Sequence, residues 1–110
     1  GVFIEVALAD AAGYLALPRS WGLTLPGGTV GGAHAGYKVY PCKNGRVAVA
    51  ALEPHFAAAL CAAAGVPVTY RTVVMTPATH QAIARFLAGQ TRKQLDKLAV
   101  DRDIPLHTLP

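Results

Sequence analysis

The chain has 110 residues, 53% of them hydrophobic and 15% charged, with ten Lys/Arg against six acids and a formal net charge of +4. That length bounds it at one domain, and the composition excludes a disordered tail and, with two cysteines, a disulfide-rich scaffold. No apolar run reaches the roughly 18 residues that span a bilayer, and the basic residues are scattered from Arg19 to Arg102 rather than gathered in a stripe, which argues against nucleic acid.

Residues 1–6 (GVFIEV) are a β-branched and aromatic run, a predicted strand. Residues 7–17 (ALADAAGYLAL) read as a helix that ends before Pro18, with Asp10 its only charge. A helix apolar on all sides calls for cover on most of them, so another chain or domain is expected to pack here. The 21 alanines point the same way: without them roughly a third of the chain is larger apolar side chain, and burial per residue is modest. The chain opens on a strand-like run with no initiator Met and no signal peptide, so it reads as a piece of something longer.

Residues 18–36 (PRSWGLTLPGGTVGGAHAG) hold six glycines and two prolines and read as one long loop without regular structure. Loops of that length are functional or disordered. Residues 37–42 and 46–52 form a predicted hairpin around Lys43-Asn44-Gly45, whose Asn-Gly pair is expected to supply positive φ. A helix follows over 54–64, with Pro54 at its first position, Phe56 and Leu60 on one face and Gly65 at its end. Residues 66–76 read as a connector. Thr76 then caps a second helix opened by Pro77, with Ala82, Ile83, Phe86 and Leu87 facing the core and Gly89 ending it. Thr91 starts a third, where Gln94 completes a capping-box pattern and Leu95, Leu98 and Ala99 are apolar. The prolines of 103–110 (DIPLHTLP) predict an extended tail. The fold class is α+β, a β-hairpin with several packed helices.

Glu53 stands at the junction of a strand and a helix, immediately before Pro54. A carboxylate there faces the positive end of the helix dipole. It either caps the helix or, as triad acids do, orients and charge-stabilises an imidazole. The glycine-rich loop lacks the Gly-Lys-Ser/Thr ending of a phosphate loop and the strand–helix frame of a dinucleotide fingerprint. It is either a surface loop or one that closes over a ligand. Of the four histidines, His34 sits in that loop and is the one placed to meet a substrate, whereas His55, His80 and His107 read as surface or boundary residues. No two share metal-binding spacing on one helix. Cys42 and Cys61 are neither CxxC nor metal-spaced and read as free thiols in a reducing cytosol. The only serine, Ser20, is in no nucleophile elbow.

Residues 31–65, GGAHAGYKVYPCKNGRVAVAALEPHFAAALCAAAG, resemble the family III CoA-transferases, which include formyl-CoA transferase, carnitine-related CoA-transferases and α-methylacyl-CoA racemase. The shared pattern is a glycine-rich loop, an aromatic hairpin strand, a turn ending in Gly, a valine/alanine strand and Leu-Glu-Pro-x-Phe. The run ALEPHF (51–56) leans toward the racemase-like branch. FIEVALADAAGYL upstream and GQTRKQLDKLAVDRDIPLHTLP downstream extend the resemblance over essentially the whole chain. Two departures stand out: the loop has fewer glycines than the transferase pattern, with Ala33-His34 following, and Leu95 lies where many relatives carry a tryptophan.

The resemblance implies that residues 1–20 are a linker strand and helix from the side of a large CoA-binding domain, and residues 21–110 the small domain. It implies an acyl-CoA thioester as substrate, coenzyme A entering as part of that substrate, an interlocked homodimer in the intact enzyme and a cytoplasmic location. Gly31 and Gly32 match the loop that covers the active site, with His34 and Tyr37 beside it, and Glu53 matches the acid that supports a catalytic histidine in racemase-like members. The family's catalytic aspartate precedes the region matched here, and none of Asp10, Asp96, Asp101 and Asp103 replaces it. The segment alone is therefore expected to be inactive. The alternative from another class is a non-catalytic interaction module derived from the same small domain.

Overall fold

The structure is a computed structural model that describes residues 27–69 and 71–110. The strand and helix predicted over 1–6 and 7–17, and the first part of the glycine-rich stretch, lie outside the described residues. The chain divides into two units, Gly1–Ala33 and His34–Pro110.

In the first unit, Thr29–Ala33 form a single π-helical turn in which the Ala33 N–H donates to the Gly28 carbonyl. The expectation of a loop without regular structure is corrected at this point. Gly32 breaks the turn at φ 120°, a conformation L side chains rarely adopt.

The second unit contains β1 (Tyr37–Cys42), β2 (Gly45–Ala50), α1 (Pro54–Ala63), a 3₁₀ turn (Arg71–Met75), α2 (Pro77–Ala88), α3 (Arg92–Arg102) and β3 (Leu106–Leu109). The fold is α+β, with a three-stranded antiparallel sheet in the order β1-β2-β3. The tail is thus more than extended: Leu106 to Leu109 pair with Val49 to Arg46 and make β2 the central strand. An unpaired β2 edge would leave a row of backbone donors and acceptors open, and an alternating segment with no helix-forming run is suited to close it.

Period-two alternation turns Val47 and Val49 inward and Arg46 and Ala50 outward. Tyr40 and Val47 face each other across the β1–β2 ladder. That face shares one core with Leu60 and Cys61 of α1, Ile83 and Leu87 of α2 and Leu95 of α3. Leu60, Ile83, Leu87 and Leu95 are fully enclosed, and each such side chain contributes about 1.5–3 kcal/mol. Cys61 is buried, Cys42 half-buried, and both are free; burial pushes the Cys61 thiol up.

The helix signals act as read. Thr76 accepts from the Thr79 N–H at the head of α2, and Thr91 and Gln94 form a reciprocal capping box on α3. The turn chemistry differs. Neither Asn44 nor Gly45 has positive φ. Gly45 is required instead by crowding, because a Cβ there would run into the Leu109 carbonyl oxygen. Asn44 spends its side chain at long range, accepting the Arg92 N–H at 2.8 Å.

Candidate functional site

β1 and β2 run in opposite directions, so the start of one and the end of the other meet at the end of the sheet away from the hairpin turn. His34, Ala35 and Gly36 lead into β1 there, and Ala51, Leu52 and Glu53 lead out of β2 into α1. A groove of about 480 Å³ opens at this place, walled by His34, by Leu52 and Pro54, by Ala57 and Ala58 of α1, and by Val68, Thr69 and Val74. Pockets that take small organic groups run from ~300 to 1,000 Å³ and are mainly apolar with a few placed polar groups. This one fits that description.

His34 is its buried polar residue, 6% exposed. Its position is fixed from four sides. The Gly36 N–H donates to His34 Nδ1 at 2.9 Å. The Ala35 N–H donates to the Val74 carbonyl at 2.9 Å, and the Tyr40 hydroxyl donates to the Ala35 carbonyl at 2.6 Å. The Ala51 N–H closes the turn onto the Gly36 carbonyl at 2.6 Å. Burial of the Tyr40 phenol pushes its pKa up to about 12, which keeps it a donor. A side chain on Gly36 would meet the Ala51 carbonyl at 2.6 Å and the imidazole at 3.0 Å, so this glycine makes room for the ring.

Burial, reinforced by the nearby His80, lowers the His34 pKa below its usual value. The ring is therefore neutral near pH 7. With Nδ1 accepting from an amide, its proton sits on Nε2.

Glu53 occupies the N-cap position of α1 by backbone geometry, but its side chain makes no cap hydrogen bond. Capping, one of its two readings, is not what the carboxylate does. It is 68% exposed, with His55 Nε2 at 3.8 Å as its ion-pair neighbour among the described residues, and such an exposed pair contributes little. It sits between Leu52 and Pro54, both walls of the groove. Tyr37 opens β1 and is partly exposed, while Gly31 and Gly32 lie in the π-helical turn of the preceding unit. His55 and His107 are exposed and His80 is half-buried. Among the described residues no group of three or more His, Cys, Asp or Glu could hold a metal ion. No helix among them is long and apolar enough to cross a membrane.

Sequence reasoning singled out His34 and Glu53 but missed the walls. Val68, Thr69 and Val74 fell in a connector with no periodicity, and Ala57 and Ala58 looked like ordinary helix alanines. The His-Ala-Gly run at 34–36 carried a signal for the ring-seating glycine that a count of loop glycines obscures.

Fold and groove together define a small α+β domain built to present a mostly apolar surface with one fixed imidazole. The chain belongs to CoA-transferase family III, whose sequence model matches residues 1–109. The three-stranded antiparallel sheet with its helices is compatible with the small domain of that family. No curated protein matches the chain. Family membership ties it to acyl-CoA chemistry, with a CoA thioester as the substrate class.

Proposed function

We propose that this chain is the small-domain part of an enzyme that exchanges a proton at the carbon α to an acyl-CoA thioester, as α-methylacyl-CoA racemase-like members do. The observation that carries the racemase-like reading is Glu53, whose carboxylate stands at the head of α1, exposed and unbonded to the helix amides. It is free to accept a hydrogen bond from an imidazole of another segment and to stabilise the imidazolium that forms when that ring takes the α-proton. An aspartate on the opposite face returns a proton to the enolate. Both of those groups come from a large CoA-binding domain. Residues 1–20 link to that domain, residues 21–110 form the small domain, and two copies interlock as a cytoplasmic homodimer. His34 and Tyr37 face the thioester, and Gly31 and Gly32 belong, by the family resemblance, to the loop that covers it.

The test uses the protein expressed from its natural locus, with its assembly defined by native mass spectrometry. Incubated in D₂O with a 2-methylacyl-CoA, that assembly incorporates one deuterium at the α-carbon and transfers no CoA to a carboxylic acid acceptor. CoA transfer without α-exchange would replace this reading with the transferase one.

The exposed apolar side chains Tyr37 and Val39 on edge strand β1 favour a second reading, a non-catalytic interaction module. A stable homo-oligomer of this chain alone, with no affinity for CoA thioesters, is its signature.

A further inference from the structure

The groove contains a donor that no described residue accepts from. His34 has committed Nδ1 to the Gly36 amide, and its Nε2–H has no partner among the described residues. Nε2 is not sealed in either, since the enclosed unpartnered side-chain polar atom among those residues is Arg92 Nε. A side chain 6% exposed that lines a groove and keeps an accessible, unpartnered N–H presents that donor to whatever enters. Among the described residues the remaining walls are apolar apart from Thr69, and none is Lys or Arg.

We infer that the groove walled by His34, Leu52, Pro54, Ala57, Ala58 and Val74 is an acyl-chain subsite, which holds a neutral apolar acyl group, orients it by one hydrogen bond from His34 Nε2–H to an acyl oxygen, and rejects acyl groups that end in a carboxylate. The inference rests on the acyl-CoA reading above and deepens it to a substrate class. The physical reason is asymmetric. A hydrocarbon chain gains by leaving water for Leu52, Ala57 and Val74. A carboxylate in the same place loses its hydration and meets no cation among the walls the structure describes. The one ring that could turn cationic is held neutral by burial and by His80. Discrimination of this kind works by leaving the wrong ligand unpaired rather than by binding the right one tightly.

The test compares octanoyl-CoA with its ω-carboxyl counterpart of equal chain length, using the assembly expressed from the natural locus and isothermal titration. Octanoyl-CoA binds at least about tenfold more tightly in the unaltered protein, as an unpaired carboxylate demands. His34→Asn keeps an acceptor for the Gly36 amide and removes the Nε2 donor, so octanoyl-CoA binding weakens by about tenfold. Ala58→Lys, at an exposed helix position that tolerates the longer side chain, brings an ammonium to the groove. It raises affinity for the ω-carboxyl thioester at least about fivefold and leaves octanoyl-CoA no tighter. Should His34→Asn fail to fold, Ala58→Lys still decides. Equal affinities for the two thioesters, or a preference that Ala58→Lys leaves unchanged, overturn the subsite while the acyl-CoA reading stands. Absence of binding by either thioester overturns both.

Discussion

The two ends of the sheet treat a helix N-terminus in opposite ways. At the hairpin-turn end, the backbone groups at the head of α3 are paired, although Arg92 Nε is enclosed there without a partner among the described residues: Thr91 and Gln94 exchange hydrogen bonds, the Arg92 N–H is taken by Asn44, and the Lys43 N–H reaches the Gln90 carbonyl. At the groove end, the head of α1 has Pro54 in place of one donor and Glu53 in place of a cap, and the carboxylate makes no cap bond. Nearby, the Nε2–H of His34 is also without a partner among the described residues. Missing caps cost stability, so the two helix heads differ in what their side chains do for the fold. The hairpin end ties its helix head to the turn of the sheet, and the groove end leaves its helix head without a side-chain cap.

The sharpest break of that contrast is Gly45→Ala. The new Cβ meets the Leu109 carbonyl, which is backbone and cannot swing aside. Overpacking of this kind costs about 1–3 kcal/mol, and at about 4–8 °C per kcal/mol for a domain of this size, thermal unfolding of the chain shows it directly. An unchanged melting temperature would mean that the β2–β3 junction is loose and the hairpin end is not the rigid one. Next in size comes a matched pair. Asn44→Ala strips the acceptor from the Arg92 amide and lowers stability by about 1 kcal/mol, as lost caps do. Glu53→Ala, at the corresponding place on α1, leaves the melting temperature where it was and removes α-proton exchange. Equal destabilisation by the two would make Glu53 a structural cap after all.

Much of the hairpin end was legible because its signals are local. A Thr three residues before a Gln satisfies helix amides within one turn of chain, and the same local chemistry at Thr76-Pro77 caps α2 beside the groove wall Val74. The part of that end that reads wrongly is non-local. Gly45 looked like a turn glycine and is a packing glycine, because the carbonyl it must avoid belongs to Leu109, far along the chain. For the same reason 103–110 read as a tail: strand pairing is settled by a partner, and β2 lies more than fifty residues upstream. At the groove end the helix starts and the two chemical residues were legible, but the walls were not. His34 and Glu53 announce themselves by type, whereas Val68, Thr69 and Val74 become walls only once the 3₁₀ turn at Arg71–Met75 folds beside α1.

The smallest effect is a slope with pH, and its sign follows from the His34 ring. Burial and His80 lower its pKa in the folded chain, so the unfolded chain, near the ordinary value of 6.5, binds the proton more readily. Wherever the unfolded state holds more protons, stability rises with pH. The contribution of His34 is therefore complete above about pH 6.5 and is lost as pH falls from there through the lowered folded value. Melting temperatures recorded from pH 8 down to pH 5 fall on the acid side, and His34→Asn, which cannot titrate but keeps an acceptor for the Gly36 amide, flattens that part of the curve. A bound neutral acyl group that accepts from Nε2–H holds the ring in its neutral form and pushes the fall to still lower pH. A ligand carrying a carboxylate beside the ring favours the imidazolium and moves the fall the other way, so the direction of the ligand-induced shift reports the charge of what the groove accepts.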